Sequence, residues 1–454
     1  MQEGILVVRI KTHAAAPVCG REVPVRMVIP ILVGVLVGSL SIGGAGRQAV
    51  MTEQEILAGA AARIEKYRKA DAVVRVVDRV GEPVEGAVVH VEQLRHAFLF
   101  GCNAFPLLNI ADPKQEATYE REFTALFNYA TLGFYWGAYE PVPGRTNEAK
   151  LKAQAKWLKE HGIAVKGHPL VWHEVVPRWA PEDADACKAL LEKRVQSIVT
   201  HFAGLIDRWD VVNEATSSPR FNNGVGHWAA RDTPAGMTAQ ALEWARAANR
   251  KALLIYNDYK LDRDYLDLAQ RLFEQKAPVD VFGLQSHMHG GEWPLTRVWE
   301  VCDTFSRLGK PLHFTEVTVL SGEHGFQRKL PWPTTPEGEE RQADYVEKFY
   351  TVLFSHPAVQ AITWWDFADG GWQGAPGGLV RADLTPKPAY QRLIKLVKDT
   401  WWTRADLTTD ASGRAHFRGF LGRYRVTVKT PRFTRSVEAE VQRDRPNEIV
   451  VRLD

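Results

Sequence analysis

The 454-residue chain has only four cysteines, Cys19, Cys102, Cys187 and Cys302. None stands in a paired or metal-ligand spacing, and the last three are an odd number, so stability does not come from a disulfide framework. Charge of one sign is equally scarce. A net charge of +3 gives a nucleic-acid partner little electrostatic footing. Low-complexity stretches are missing as well, and 45% hydrophobic with 24% charged residues is ordinary globular composition. That length accommodates one large barrel with a smaller accessory domain, or two or three ordinary domains. What is plentiful is tryptophan, 15 in all, whose indole rings serve as stacking platforms as well as core filler.

Residues 27–46, MVIPILVGVLVGSLSIGGAG, follow Arg26 and end in small residues. A positive flank, a short apolar core and a small-residue exit form the pattern of a secretory signal. Residues 1–46 are therefore read as an N-terminal extension and signal peptide, and the mature protein as secreted or periplasmic with no membrane segment. An uncleaved anchor is the alternative, disfavoured because Gly and Ser interrupt a run that is short for a span. The polar stretch before Met27 is long for the flank of a signal, which makes Met27 a second candidate start.

Thr52 and Glu55 stand in capping-box spacing ahead of an apolar stripe of helical period, predicting a helix over 51–71. Residues 72–93 alternate apolar and polar around a Gly-Glu-Pro turn and read as a pair of strands. Residues 413–454 read as further short strands, with Phe417, Phe420, Tyr424 and Phe433 expected in their core. Neither piece has strands enough to stand alone. The segments 47–96 and 399–454 are therefore predicted to pack together as one small β-sandwich.

Between them, residues 97–398 carry eight apolar runs: 98–105, 129–137, 164–173, 207–214, 252–259, 279–288, 311–317 and 361–367. Amphipathic stretches such as 147–162 and 338–356 fill the gaps. Eight such alternations predict an α/β fold, a (β/α)8 TIM barrel, because each parallel strand needs a crossover helix. A doubly wound open sheet is the runner-up, but no glycine-rich phosphate loop follows the first run to support it.

Polar residues gather at the C-terminal ends of these runs: His168, His173, Asn213, Glu214, Asn257, Asp258, Gln285, His287, Glu316 and Asp366. That end of a barrel is where active sites are built. Glu214 follows the fourth run and Glu316 the seventh, so their carboxyls can flank one bound bond. Paired carboxyls at a cleft suit glycosidic hydrolysis, one protonating the leaving oxygen while the other attacks or activates water. A rival reading is zinc held by His287 and His289 with His168 and His173. It suffers from the odd separation of His168 and His173, which in a regular strand face opposite sides.

The motifs GHPLVWH (167–173), WDVVNEA (209–215), YNDY (256–259), GLQSHMH (283–289), HFTE (313–316) and KPAY (387–390) together resemble glycoside hydrolase family 10, the endo-β-1,4-xylanase family. The resemblance covers most of 97–398 in the right order. It implies a retaining hydrolase in which Glu214 is the general acid/base and Glu316 the nucleophile. It also implies that His287 hydrogen-bonds the nucleophile, that Asn213 holds the sugar's 2-hydroxyl, and that His168, Trp172 and Gln285 line the cleaved bond. Trp365 and Trp372 correspond to an aromatic wall over the neighbouring sugar. No cofactor and no metal are implied; the expected partner is a polysaccharide or oligosaccharide, and a monomer is expected.

The sequence departs from the family at three places. The second run supplies Tyr135 and Trp136 where the family usually has Glu, Asn and Lys gripping the non-reducing side. Val317 and Thr318 follow Glu316 where an apolar residue and Asp are common. Asp366 stands where Gly is usual, which predicts a narrowed or reshaped cleft. Xylan or a xylan-like β-glycan is the first substrate expected. A different β-glycan or short oligosaccharide, and a carbohydrate-binding barrel without turnover, are the alternatives.

Overall fold

The computed structural model describes residues 51–325 and 332–453. The apolar run at 27–46 and the signal-peptide reading lie outside the described residues. Among the described residues, no helix is long and apolar enough to cross a membrane.

The capping box forms as expected. Thr52 Oγ1 accepts from the Glu55 amide at 3.2 Å, and the Glu55 carboxylate accepts from the Thr52 amide at 2.8 Å. The single helix predicted from it is instead two, Glu53–Ala58 and Ala60–Arg68. At Gly59 ψ is −9°, well short of the regular helical value of about −42°, and glycine is the residue that least resists such a break.

Among the described residues, fifteen strands follow in chain order. The N-terminal pair is β1 (Lys69–Val77) and β2 (Val88–His96), and the C-terminal set is β11 (Arg404–Thr408), β12 (Arg414–Phe420), β13 (Gly422–Lys429), β14 (Thr434–Val441) and β15 (Glu448–Arg452). Strand β1 lies between β12 and β15, while β2 lies between β11 and β13. The two N-terminal strands are therefore not a hairpin. The connection between them crosses from one sheet to the other, turning where Asp78 accepts from the amides of Val80, Gly81 and Glu82. The sheets close over a core that includes Val74, Val76, Val89, Val91, Tyr424, Val426 and Val451, so both chain segments build one sandwich. Phe417, Phe420 and Tyr424 are buried as expected, but Phe433 is 44% exposed. It belongs to the turn between β13 and β14, past the last inward-facing strand position.

The barrel consists of β3 (Leu99–Asn103), β4 (Tyr129–Gly133), β5 (Ala164–His168), β6 (Arg208–Asn213), β7 (Leu253–Asp258), β8 (Val281–Met288), β9 (Leu312–Val319) and β10 (Val359–Trp364). All pair in parallel, and β10 returns to β3 to close the ring. Each predicted run overlaps one strand, although β9 continues to Val319 and β10 begins at Val359, ahead of its run. Three runs overreach by three residues or more: β4 stops at Gly133 and a short helix, Trp136–Tyr139, follows, β5 stops at His168 and β10 at Trp364. Beyond β5 the chain is a loop tied to β6, with the Asn213 amide donating to the Val171 carbonyl at 3.0 Å. Helices such as Glu148–Glu160 and Pro336–Ser355 occupy the predicted amphipathic stretches.

Arg68 couples the two parts. Almost completely buried, its guanidinium donates to the carbonyls of Phe354 (2.5 Å), His356 (2.6 Å) and Val359 (2.8 Å) at the foot of the barrel. A charge so buried is tolerable only with such partners. Cys102, Cys187 and Cys302 are buried free thiols.

Candidate active site

Strand β6 ends by turning sharply. Glu214 adopts φ 56° and ψ 39°, the left-handed region that non-glycine residues rarely occupy, and a 3-10 turn, Ala215–Arg220, follows. Such a residue costs on the order of 1–2 kcal/mol and persists only where its surroundings hold it. Here its amide donates to the Asn257 carbonyl of β7 at 2.8 Å. The turn delivers the side chain into the barrel mouth. Glu214 Oε1 accepts from Gln285 Nε2 at 2.9 Å and Asn213 Nδ2 at 3.1 Å, and Oε2 accepts from Trp172 Nε1 at 3.0 Å. Burial nevertheless pushes its pKa up to about 8, helped by the negative charges of Glu316 and Asp258 and only partly opposed by the donors.

Glu316 lies within β9 and meets the opposite electrostatics. Its Oε1 accepts from Asn257 Nδ2 at 2.8 Å, and its Oε2 lies 3.1 Å from His287 Nε2. Burial raises this carboxyl too, but His168, His287 and Lys166 outweigh it and hold Glu316 below the usual carboxylate value. The His287 ring is fixed from both sides: Nδ1 lies 2.8 Å from Thr318 Oγ1, which also reaches the Trp365 carbonyl at 2.7 Å, and Nε2 faces Glu316.

Deeper in the barrel, Asp210 Oδ2 lies 2.7 Å from His168 Nδ1 and 2.6 Å from Lys166 Nζ. All three side chains are buried. Asp210 fixes the His168 ring so that Nε2 faces Glu316, 3.8 Å from Oε1. Asn257 connects the two glutamates: its Nδ2 donates to Asn213 Oδ1 at 2.7 Å as well as to Glu316. Trp365 packs edge-on against His168 at 5.3 Å, and Trp372 stacks on His287 at 4.9 Å with only 12° between the rings.

The structure thus brings together every residue singled out from the sequence: Glu214, Glu316, His168, Trp172, Asn213, Gln285, His287, Trp365 and Trp372. Asn257, Asp210, Lys166 and Thr318 had not been given site roles. Asn257 had a signal, since it closes the fifth run beside Asp258. The four histidines of the zinc reading are not gathered: His168 is committed to Asp210, His287 to Thr318 and Glu316, and His173 Nδ1 to Ser218 Oγ at 2.8 Å. His173 lies past the end of β5, so strand alternation does not set its direction. Among the described residues, the one set that could hold a metal ion is His173, Glu174 and Glu214, with ligand atoms within 4.8 Å of one another.

Tyr135 and Trp136 part company. Tyr135 enters the mouth, its ring 5.5 Å from His168 and 5.6 Å from Trp172, whereas Trp136 is buried against Trp179. Asp366 follows β10 and is hydrogen-bonded by Asn103 Nδ2. Burial and the charge of Glu316 push its carboxyl up to about 7.

One carboxyl held protonated and another held ionised, in one mouth of a parallel barrel and joined by amide side chains, define a glycoside hydrolase site. Residues 94–396 match the sequence profile of glycosyl hydrolase family 10, and the chain belongs to that family. Among curated relatives, the anti-sigma-I factor RsgI6 of Acetivibrio thermocellus is 29% identical over 383 residues, 81% of this chain; the chain spans 46% of that protein's length. Endo-1,4-beta-xylanase B of Thermotoga neapolitana is 28% identical over 60% of this chain and 81% of its own. Among solved structures, xylanase 10B of Thermotoga petrophila in complex with xylobiose superimposes with a TM-score of 0.56 at 25% identity, covering 67% of this chain and 95% of that one. The family 10 structure from Paenibacillus barcinonensis, at 23% identity and TM-score 0.57 over 67% of this chain and 96% of its own, shares the fold.

Proposed function

We propose that this protein is a retaining hydrolase that cleaves internal β-1,4 bonds of xylan or a xylan-like polysaccharide outside the cytoplasm. The opposed electrostatics of Glu214, raised to about 8, and Glu316, lowered, carry the reading. In the first step Glu316 attacks the anomeric carbon as Glu214 gives its proton to the leaving oxygen, producing a glycosyl ester. In the second, the Glu214 carboxylate takes a proton from water, whose oxygen displaces Glu316, and both side chains return to their starting states. Hydrogen bonds from His287 and Asn257 keep Glu316 ionised for attack, while Asn213, His168, Trp172 and Gln285 hold the sugar around the bond. Trp365 and Trp372 supply the aromatic wall.

Xylan is put first because the named endo-xylanases align through the barrel and because one solved relative holds xylobiose. A second reading, another β-glycan cleaved by the same chemistry, is favoured by Tyr135 and Asp366 in the mouth. The test is product analysis on xylan, mixed-linkage glucan, cellulose and mannan. Retention is read by NMR during turnover. Binding without hydrolysis of any of them by the parent refutes the enzymatic proposal, and an inverted product refutes direct attack by Glu316.

A further inference from the structure

Among the described residues, two polar atoms in the mouth make no hydrogen bond. Asp366 Oδ1 is taken by Asn103 Nδ2, but among the described residues its Oδ2 receives no hydrogen bond. Room for that oxygen exists because residue 371 is glycine; a Cβ there would lie 2.5 Å from it. The Tyr135 hydroxyl likewise makes no hydrogen bond among the described residues, although the charges of Glu316, Asp366 and Glu214 all bear on it. Both groups occupy one aromatic enclosure. Phe105 stands edge-on to Tyr135 at 5.9 Å and to Trp365 at 5.3 Å, and Tyr135 and Trp365 each stand edge-on to His168, whose Nε2 faces Glu316.

Aromatic rings beside unpaired polar atoms are what a bound sugar ring needs from its surroundings. The aromatic faces meet its C–H surface, and its hydroxyls need acceptors and donors of their own, since a buried polar group without a partner is costly. We propose that Asp366 Oδ2 and the Tyr135 hydroxyl read the hydroxyls of the sugar held against Glu316, and that they restrict this position to neutral sugars, excluding uronic acids. The inference rests on the reading of Glu316 as the attacking group. A uronic acid would bring a further carboxylate into a space that already holds Glu316 and Asp366. It could enter only against repulsion or with uptake of a proton.

The test compares the parent with Asp366→Gly, Asp366→Asn and Tyr135→Phe, with thermal melts confirming that each is folded. Hydrolysis of the 4-nitrophenyl β-xyloside, β-glucoside and β-glucuronide is measured beside calorimetric binding of xylobiose, cellobiose and glucuronic acid. The parent takes the neutral sugars and leaves the glucuronide. Asp366→Gly and Tyr135→Phe lose about 10- to 100-fold on the neutral sugars. Asp366→Asn keeps a polar partner without the charge, so it narrows the gap between glucoside and glucuronide by about tenfold or more. A parent that takes glucuronide as readily as glucoside overturns the inference, as does an Asp366→Gly protein with parental binding and kinetics. If the parent binds neutral sugars but hydrolyses none, the proposed function fails while the binding series still decides this point. Absence of any sugar binding overturns both.

Discussion

Replacing Glu214 with glutamine keeps the shape of the side chain and removes its titration, which makes the raised carboxyl measurable without a substrate. In the folded protein Glu214 titrates at about 8 against an ordinary 4.5, chiefly because burial penalises the anion. The folded value lies above the unfolded one. The stability owed to the neutral form is therefore complete below pH ~4.5 and is lost as pH rises through about 8. At ~1.36 kcal/mol per pH unit the ceiling on that loss is ~5 kcal/mol. Water entry and side-chain relaxation around the buried anion reduce it, and about 2–3 kcal/mol is expected. Glutamine also brings a penalty independent of pH. If its carbonyl accepts from Gln285 and Asn213, its NH2 is turned toward the Trp172 indole N–H, donor against donor, at a cost of ~1–3 kcal/mol. The informative quantity is therefore the slope. Urea unfolding at several values between pH 5.5 and 9 should show the parent losing stability more steeply than Glu214→Gln, although the variant starts lower. Parallel profiles would refute the account of Glu214 as a carboxyl kept neutral by burial.

Other perturbations reach different parts of the site. Glu316→Ala should lower kcat by at least about 10^4-fold on any substrate the parent hydrolyses, and near-parental turnover would sink the proposed mechanism. Asp210→Ala leaves Lys166 buried without its counter-charge, so a loss of about 3–5 kcal/mol is expected; an unchanged melting temperature would contradict it. Thr318→Val removes the hydroxyl that fixes His287 Nδ1. The ring is then held less firmly against Glu316, so the acid limb of kcat/KM should move to higher pH, with the alkaline limb set by Glu214 staying near 8. A Thr318→Val profile that superimposes on the parent's removes His287 from the control of Glu316.

Much of the barrel was legible because its strands are buried on both faces and read as nearly continuous apolar runs. Their ends were less legible. The run 164–173 contains Leu170, Val171 and Trp172, apolar enough to continue a strand, yet the strand ends at His168 and Val171 meets β6 again only through an isolated bridge to Val212. Gly133 and the short helix after it hide in the second run for the same reason. In the sandwich, alternation identified the strands but not their partners. Which sheet β1 and β2 join depends on strands that lie more than 300 residues away in the chain.

In the stretch RWDVVNEA (208–215) Glu214 puts a carboxyl at the end of an apolar strand, a placement that is costly unless the group is paired, hydrogen-bonded or facing a cleft. The same constraint bears with more force on Asp210, four residues earlier and in the middle of the strand. A carboxylate there cannot reach solvent; Asp210 is completely buried. Its partners must come from the inward face of a neighbouring strand, and β5 supplies Lys166 and His168 two positions apart, on one face. Two charged or titratable residues at that spacing in one run, beside a buried acid in the next, already specify the ion pair and the orientation of His168. Glu214 depends on a different kind of information. Its left-handed backbone and the bond from its amide to Asn257 arise from how β6 meets β7 in the closed ring, a relation that no local pattern in the chain encodes.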